Sequence, residues 1–383
     1  MPTHASFYRA VKDAGGPLAP SSEPPPLDKL SEMALSAATR TRDSINQRSN
    51  ILFPLGNVEV ALVDNAAFNA FAHHDDGQEG IAVFAGLFYM LCDLSFAMWS
   101  HPTFLRTTHP LTESSISLAS IRQRASALRG SRTWTGLMVV VPKQDRQRVF
   151  RAINTAMTAF LFVVFHETGH LVRAHIPYMG ELSGSNVNLL LENSENIPLV
   201  GNDVFRLLEI DADIYAAKAV ADCALTTWNM GRLFPFNYPL DRGTLEDYVA
   251  DVAMGLSLAF FCMDLGSRNL DLLPESSHPS PGVRLYIAYL AMMDLLWKPF
   301  KIPSQESLAL ALKGFTEVRE FWSKLRLPMG TINNNPMRMA ELANSEYTDC
   351  HKFESRLRSV MDKRLRRFGT PCAHYEQFAS FYD

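Results

Sequence analysis

Residues 145–170 read DRQRVFRAINTAMTAFLFVVFHETGH, and the last five, His166-Glu167-Thr168-Gly169-His170, decide how the rest of the chain is read. The run ahead of them has neither Pro nor Gly. Ile153, Met157, Phe160, Leu161, Val164 and Phe165 recur at helical spacing, so one helix is expected to run directly into the two histidines. Imidazoles four positions apart project from one helix face about a turn apart, close enough for one tetrahedral zinc to take both ring nitrogens. Glu167 follows the first ligand and swings its carboxylate toward the open coordination position. A water there is the expected nucleophile.

A catalytic zinc keeps three protein ligands, so a third must exist. In residues 201–218 (GNDVFRLLEIDADIYAAK), Asn202 or Asp203 can cap a helix whose buried face holds Val204, Leu207, Leu208, Ile210 and Ile214. Glu209 and Asp213 lie four apart on one side of that helix. Glu209 is the expected third ligand, and Asp213 the acceptor for the free ring N–H of a ligating histidine. Asp211 points about 200° away and is a weaker candidate. Ala212, Ala216 and Ala217 are small enough to let this helix approach the motif helix closely. His175 lies five positions after His170 and falls off the shared face. Residue 176 is Ile, where the extended histidine motif needs a third His. Glu181, Glu192 and Glu195, in a polar stretch read as a lid or cleft wall, remain alternative ligands.

Two further segments join these in order. Asn69-Ala-Phe-Ala72 is followed by residues 80–88 (GIAVFAGLF), and His278-Pro279-Ser-Pro-Gly-Val-Arg284 comes behind the second helix. With HExxH and Glu-x-x-x-Asp, this series resembles the gluzincin metallopeptidases of the HtpX and CAAX prenyl protease type, over roughly residues 57–295. The zinc motif and its setting are also similar to those of the soluble phage-exclusion proteases of the Lit type. The resemblance implies an α+β zincin-like fold, mostly helical, with a small N-terminal sheet or hairpin beside the active-site helix. It also implies an edge strand that holds extended substrate by backbone hydrogen bonds. His278 and Arg284 become the first choices for stabilising the oxyanion, with Tyr178 and Tyr215 behind them.

The expected activity is that of a zinc-dependent endopeptidase, hydrolysing a protein or peptide bond by attack of an activated water, with Glu167 as proton acceptor and donor. Two other readings stay open. One is a catalytically silent binding or regulatory protein on the same scaffold, with a closed fourth ligand. The other is a phage-defence protease that acts only on a triggered target.

Composition sets the wider bounds. The chain has 383 residues, 47% hydrophobic and 20% charged, which is globular composition with ample material for a core. A net charge of −4 gives no reason to expect nucleic acid as partner. Five scattered cysteines without a CxxC indicate neither a disulfide framework nor a zinc knuckle, and the first residues lack an apolar signal region. A reducing, cytoplasmic setting is expected. Residues 81–99 and 249–263 could mimic membrane spans, but each carries an Asp, and buried elements are expected instead. In the first of them, Gly86 should divide a strand from a helix.

Three regions follow. Residues 1–48 are read as a flexible arm and lead-in, extended over the Pro-rich first 28 residues, residues 49–300 as the metallopeptidase domain, and residues 301–383 as a helical extension. Residues 57–71 should form a hairpin with residues 81–85 around a His73-His74-Asp75-Asp76-Gly77 turn. Residues 100–144 look like an insertion with four spaced arginines (Arg122, Arg124, Arg129, Arg132), and the basic stretch 356–367 is read as a solvated helix face. Thr244-Leu-Glu-Asp247 has the form of a helix-capping box.

Overall fold

The computed structural model describes residues 5–19, 27–52, 58–75, 78–100, 119, 146–184, 187, 189–191, 202–233, 238–239, 244–266, 281–300 and 304–324. In chain order these form helices α1 (Ala5–Ala14) and α2 (Leu27–Leu52), strands β1 (Val58–Val63), β2 (Ala70–Asp75) and β3 (Gln78–Phe84), and helix α3 (Ala85–Ser100). Then come α4 (Arg146–Val172), α5 (His175–Ser183), the short strand β4 (Leu189–Leu191), α6 (Asn202–Met230), and the two-residue strands β5 (Arg232–Leu233) and β6 (Tyr238–Pro239). Helices α7 (Leu245–Gly266), α8 (Pro281–Phe300) and α9 (Ser304–Lys324) complete the described chain. The fold is α+β, mostly helical with one small sheet.

Helix α4 is apolar on nearly every side because it is packed on nearly every side, against α3, α6, α7 and strand β2. Among the described residues, 147–172 is the one stretch long and apolar enough to cross a membrane, and 83% of its most apolar window is buried inside the fold. The two segments that mimic spans in the sequence are buried elements as well. Gly86 falls at the junction of β3 and α3, as expected, and α3 is buried along its length apart from Asp93. Helix α7 starts on its capping box, where the Asp247 N–H donates to Thr244 Oγ1 at 3.1 Å.

The sheet has the order β1-β3-β2-β4. Strands β2 and β3 form the expected hairpin, in antiparallel register from Ala70 opposite Val83 to Asp75 opposite Gln78. Two expectations fail here. Residues 57–71 are not one hairpin arm: the chain breaks after Val63, and β1 pairs parallel with β3. His73 and His74 lie inside β2 rather than in its turn, with His73 buried and His74 Nδ1 2.9 Å from the buried Glu79 carboxylate across the hairpin. The apolar run Ala70-Phe71-Ala72 leads into the histidines, and His73 pairs on both sides, with Gly80 of β3 and Leu189 of β4.

The N-terminal segment also departs from the extended arm expected of it. Residues Phe7 and Val11, four apart on α1, are fully buried against Val63, Phe71, Ala82 and Phe84 of the sheet. The Phe7 ring lies on Gly80, where a Cβ would stand 2.2 Å from it. Residues 16–18 then run beside the outer edge of β1, with Asp64 N–H donating to Gly16 O and Leu18 N–H to Leu62 O. At the other end, α9 is helical as expected, and its Ala311, Val318 and Trp322 are buried in the same core as α7 and α8. The insertion beyond Ser100, apart from Ala119, and the basic stretch 356–367 lie outside the described residues.

Candidate metal centre

Helices α4 and α6 bring the two halves of the motif together. Gly169, inside the His-Glu-x-x-His segment, sits where they cross, so close that a Cβ on it would stand 3.1 Å from Ala212 Cα. The contact confirms the reading of Ala212 as a close-packing residue. It sets Glu209 and Asp213 opposite His166 and His170, and all four side chains are fully buried.

The imidazole Nε2 atoms of His166 and His170 face each other at 3.0 Å. The Glu209 carboxylate straddles them, Oε2 3.5 Å from His166 Nε2 and Oε1 3.5 Å from His170 Nε2. These three residues could hold a metal ion, their ligand atoms all lying within 4.8 Å of one another. Glu167, next in the chain to the first ligand, is buried with them.

Asp213 stands where the sequence reading put it, with Oδ1 accepting from His166 Nδ1 at 2.9 Å. An Asp-bound Nδ1–H leaves the Nε2 lone pair turned to the centre. Arg284, from α8, holds that carboxylate by two bonds, Nε to Oδ2 at 2.7 Å and Nη2 to Oδ1 at 2.9 Å. Its Nη2 also lies 3.3 Å from Glu209 Oε2, and its guanidinium rests 5.7 Å from the Phe260 ring centroid of α7. Arg284 thus belongs to the site, bound to Asp213 and close to Glu209. The other residue paired with it in the sequence, His278, lies outside the described residues, as do Glu192 and Glu195. Glu181 is exposed on α5, Tyr178 is buried in the same helix, and Tyr215 packs its ring edge near Gly169.

A second set of contacts is one the sequence reading missed. Helix α4 ends at Val172, and Ala174 takes a left-handed conformation, φ 56° and ψ 34°, before α5 begins at His175. That break throws His175 back beneath the motif: its Nδ1 is 2.8 Å from His170 Nδ1, and its Nε2 is 2.9 Å from Asp211 Oδ2. Arg173 grips Asp211 by two bonds, Nε to Oδ2 at 2.8 Å and Nη2 to Oδ1 at 3.0 Å. Asp211 does point away from the metal position, as its angular setting required, yet it is buried and paired. A continuous helix through residue 175 was the wrong premise. Pro177 was the available signal, because proline is tolerated in the first turn of a helix and not in its interior.

The two facing rings sit in unequal electrostatic settings. Burial works against the charged form of His166, but Asp213 and Glu209 outweigh it and raise its pKa well above the ordinary value. Burial, with the neighbouring His166, holds His170 well below it. His175 is likewise lowered by burial in spite of Asp211. Burial opposes ionisation of Asp211 too, but Arg173 and His175 prevail and keep it below the usual carboxylate range.

No protein-family model, curated protein or solved structure matches the chain.

Proposed function

We propose that this centre binds zinc and that the chain is a gluzincin-like, zincin-fold metallopeptidase acting on a protein or peptide. One observation carries the reading: two histidine Nε2 atoms lie 3.0 Å apart, and the Glu209 carboxylate sets one oxygen 3.5 Å from each of them, Oε2 from His166 and Oε1 from His170. A tetrahedron with metal–ligand bonds of about 2.0–2.1 Å has edges of about 3.3 Å. The donor set, two imidazoles and one carboxylate, is that of catalytic zinc sites that keep a fourth position open. Zinc held there supplies a Lewis acid and acidifies water.

The chain's own residues do the rest. Glu167 accepts a proton from the attacking water and returns it to the leaving amine nitrogen. Asp213 fixes the His166 tautomer. Arg284 is a positioning residue in this scheme, because the bonds of its Nε and Nη2 to Asp213 hold the carboxylate that orients His166. The oxyanion donor is left to His278 or a tyrosine.

A second reading, that cutting waits for a partner or trigger to open the site, is favoured by one further observation. His166, Glu167, His170 and Glu209 have no solvent-exposed surface. A triggered protease of the phage-exclusion kind would behave in this way.

The deciding experiment is zinc per chain by elemental mass spectrometry on wild type and Glu209→Ala, followed by peptide-cleavage assays on wild type and Glu167→Gln. About one zinc per wild-type chain, lost from Glu209→Ala, supports the centre. Cleavage by wild type and none by zinc-loaded Glu167→Gln supports the peptidase. Wild type that takes up no zinc ends this reading.

A further inference from the structure

Two arginine-gripped carboxylates stand behind the two histidines, and they are built differently. Behind His166 the series is His166, Asp213, Arg284, with the carboxylate directly on the ring. Behind His170 an imidazole is inserted, giving His170, His175, Asp211, Arg173.

We infer that His175, held by Asp211 and Arg173, is the positioning residue that presents His170 to the metal through Nε2. The inference rests on the metal-binding reading of the site. Its argument is one of donors and acceptors. The Asp211 carboxylate, doubly bound to a guanidinium, can only accept, so His175 Nε2 must carry a hydrogen. A neutral His175 then offers a lone pair at Nδ1, and the 2.8 Å contact to His170 Nδ1 requires the hydrogen to sit on His170. With its Nδ1 protonated, His170 has its lone pair at Nε2, the atom that faces His166 Nε2 and Glu209. An acceptor behind a ligating imidazole ordinarily is a carboxylate, a carbonyl or water. Here a second histidine does this work, with the carboxylate one ring further back.

The backbone supports a built arrangement. Ala174 is the one non-glycine residue with positive φ among the described residues, and it is fully buried. The left-handed conformation is sterically unfavourable for alanine, whose Cβ crowds the following carbonyl oxygen. Such conformations persist where the surroundings over-determine them, and this one places His175 under His170. Arg173, the residue before it, is the one that grips Asp211, so a single turn of chain delivers both the inserted ring and its anchor.

The test uses the full chain with histidine labelled in 15N, loaded with zinc. Long-range 1H–15N correlation should give His175 as the Nε2–H tautomer with an accepting Nδ1, and His170 with hydrogen on Nδ1 and metal on Nε2. In His175→Gln and Asp211→Asn, zinc affinity should fall about 10- to 100-fold, and the visible spectrum of the cobalt(II)-substituted protein should shift. A His175 that carries its hydrogen on Nδ1 in zinc-loaded wild type overturns the inference, as does a His175→Gln protein with wild-type zinc affinity and an unchanged cobalt spectrum. If either variant fails to fold, the wild-type tautomers decide alone. Wild type that binds no zinc defeats the metal reading itself, a result distinct from zinc binding with the wrong tautomer.

Discussion

Gly169 and Ala212 mark the point where α4, which carries His166 and His170, touches α6, which carries Glu209. A Cβ on Gly169 would lie 3.1 Å from Ala212 Cα and 3.3 Å from Tyr215 Cδ1, tighter than ordinary van der Waals contact. The position of Glu209 relative to both histidines therefore depends on a missing side chain.

Gly169→Ala is expected to gain up to about 1 kcal/mol of helix propensity and to lose about 1–3 kcal/mol to overpacking, for a small net destabilisation. Gly169→Leu, which must push α6 away, should lose several kcal/mol and most metal affinity. Thermal melts with and without zinc check both. Wild-type zinc affinity in Gly169→Leu would mean that the helix spacing does not govern the site.

Asp213 serves two buried partners, His166 and Arg284. Asp213→Ala leaves a buried guanidinium without its carboxylate and is expected to cost about 3–5 kcal/mol in denaturant unfolding. Asp213→Asn keeps the shape, and should weaken zinc binding about 10- to 100-fold in a competition titration against a chelator. Equal affinity in Asp213→Asn would remove Asp213 from the metal's support.

Phe7 and Gly80 make a second size-matched pair, where α1 packs across strands β1, β3 and β2. Phe7→Ala should cost about 3–5 kcal/mol, and Gly80→Ala should expel the same ring. The double variant should then be little worse than either single one, because both remove one contact. Hydrogen exchange over residues 5–14 reads the release of α1 directly. Full additivity of the two losses would show that they act separately.

Asp251, buried on α7 near Arg151, has its pKa raised by burial, in spite of Arg151, from 3.8 to about 7. A raised carboxyl keeps its proton longer in the folded chain than in the unfolded one. Its contribution to stability is complete below about pH 4 and is lost as pH rises through about 7. Asp251→Asn should abolish that loss, so its melting temperature should exceed wild type at pH 8 and match it at pH 4. A difference that is the same at both values would place the effect elsewhere.

The sequence carried the centre well because its logic is local. His166, Glu167 and His170 share one helix, Glu209 and Asp213 another, and a four-residue spacing fixes a face whatever the rest of the chain does. What it concealed depends on breaks and on distance. The left-handed turn at Ala174 overrode the helical count that dismissed His175, and the parallel pairing of β1 with β3 joins strands that no local pattern links. The first helix was masked by the prolines that follow it, although Phe7 and Val11 already had helical spacing. Asp211 was judged by where it does not point. On a helix buried all round, the far side has partners too.

The complete burial of His166, His170 and Glu209 also bears on time. An ion seated among them can leave, and a chelator can reach it, only when the protein opens. Its exchange should therefore be slow and insensitive to chelator concentration once opening is limiting. The rate at which radioactive zinc replaces cold zinc would then be a clock for that opening, whether or not anything is cut.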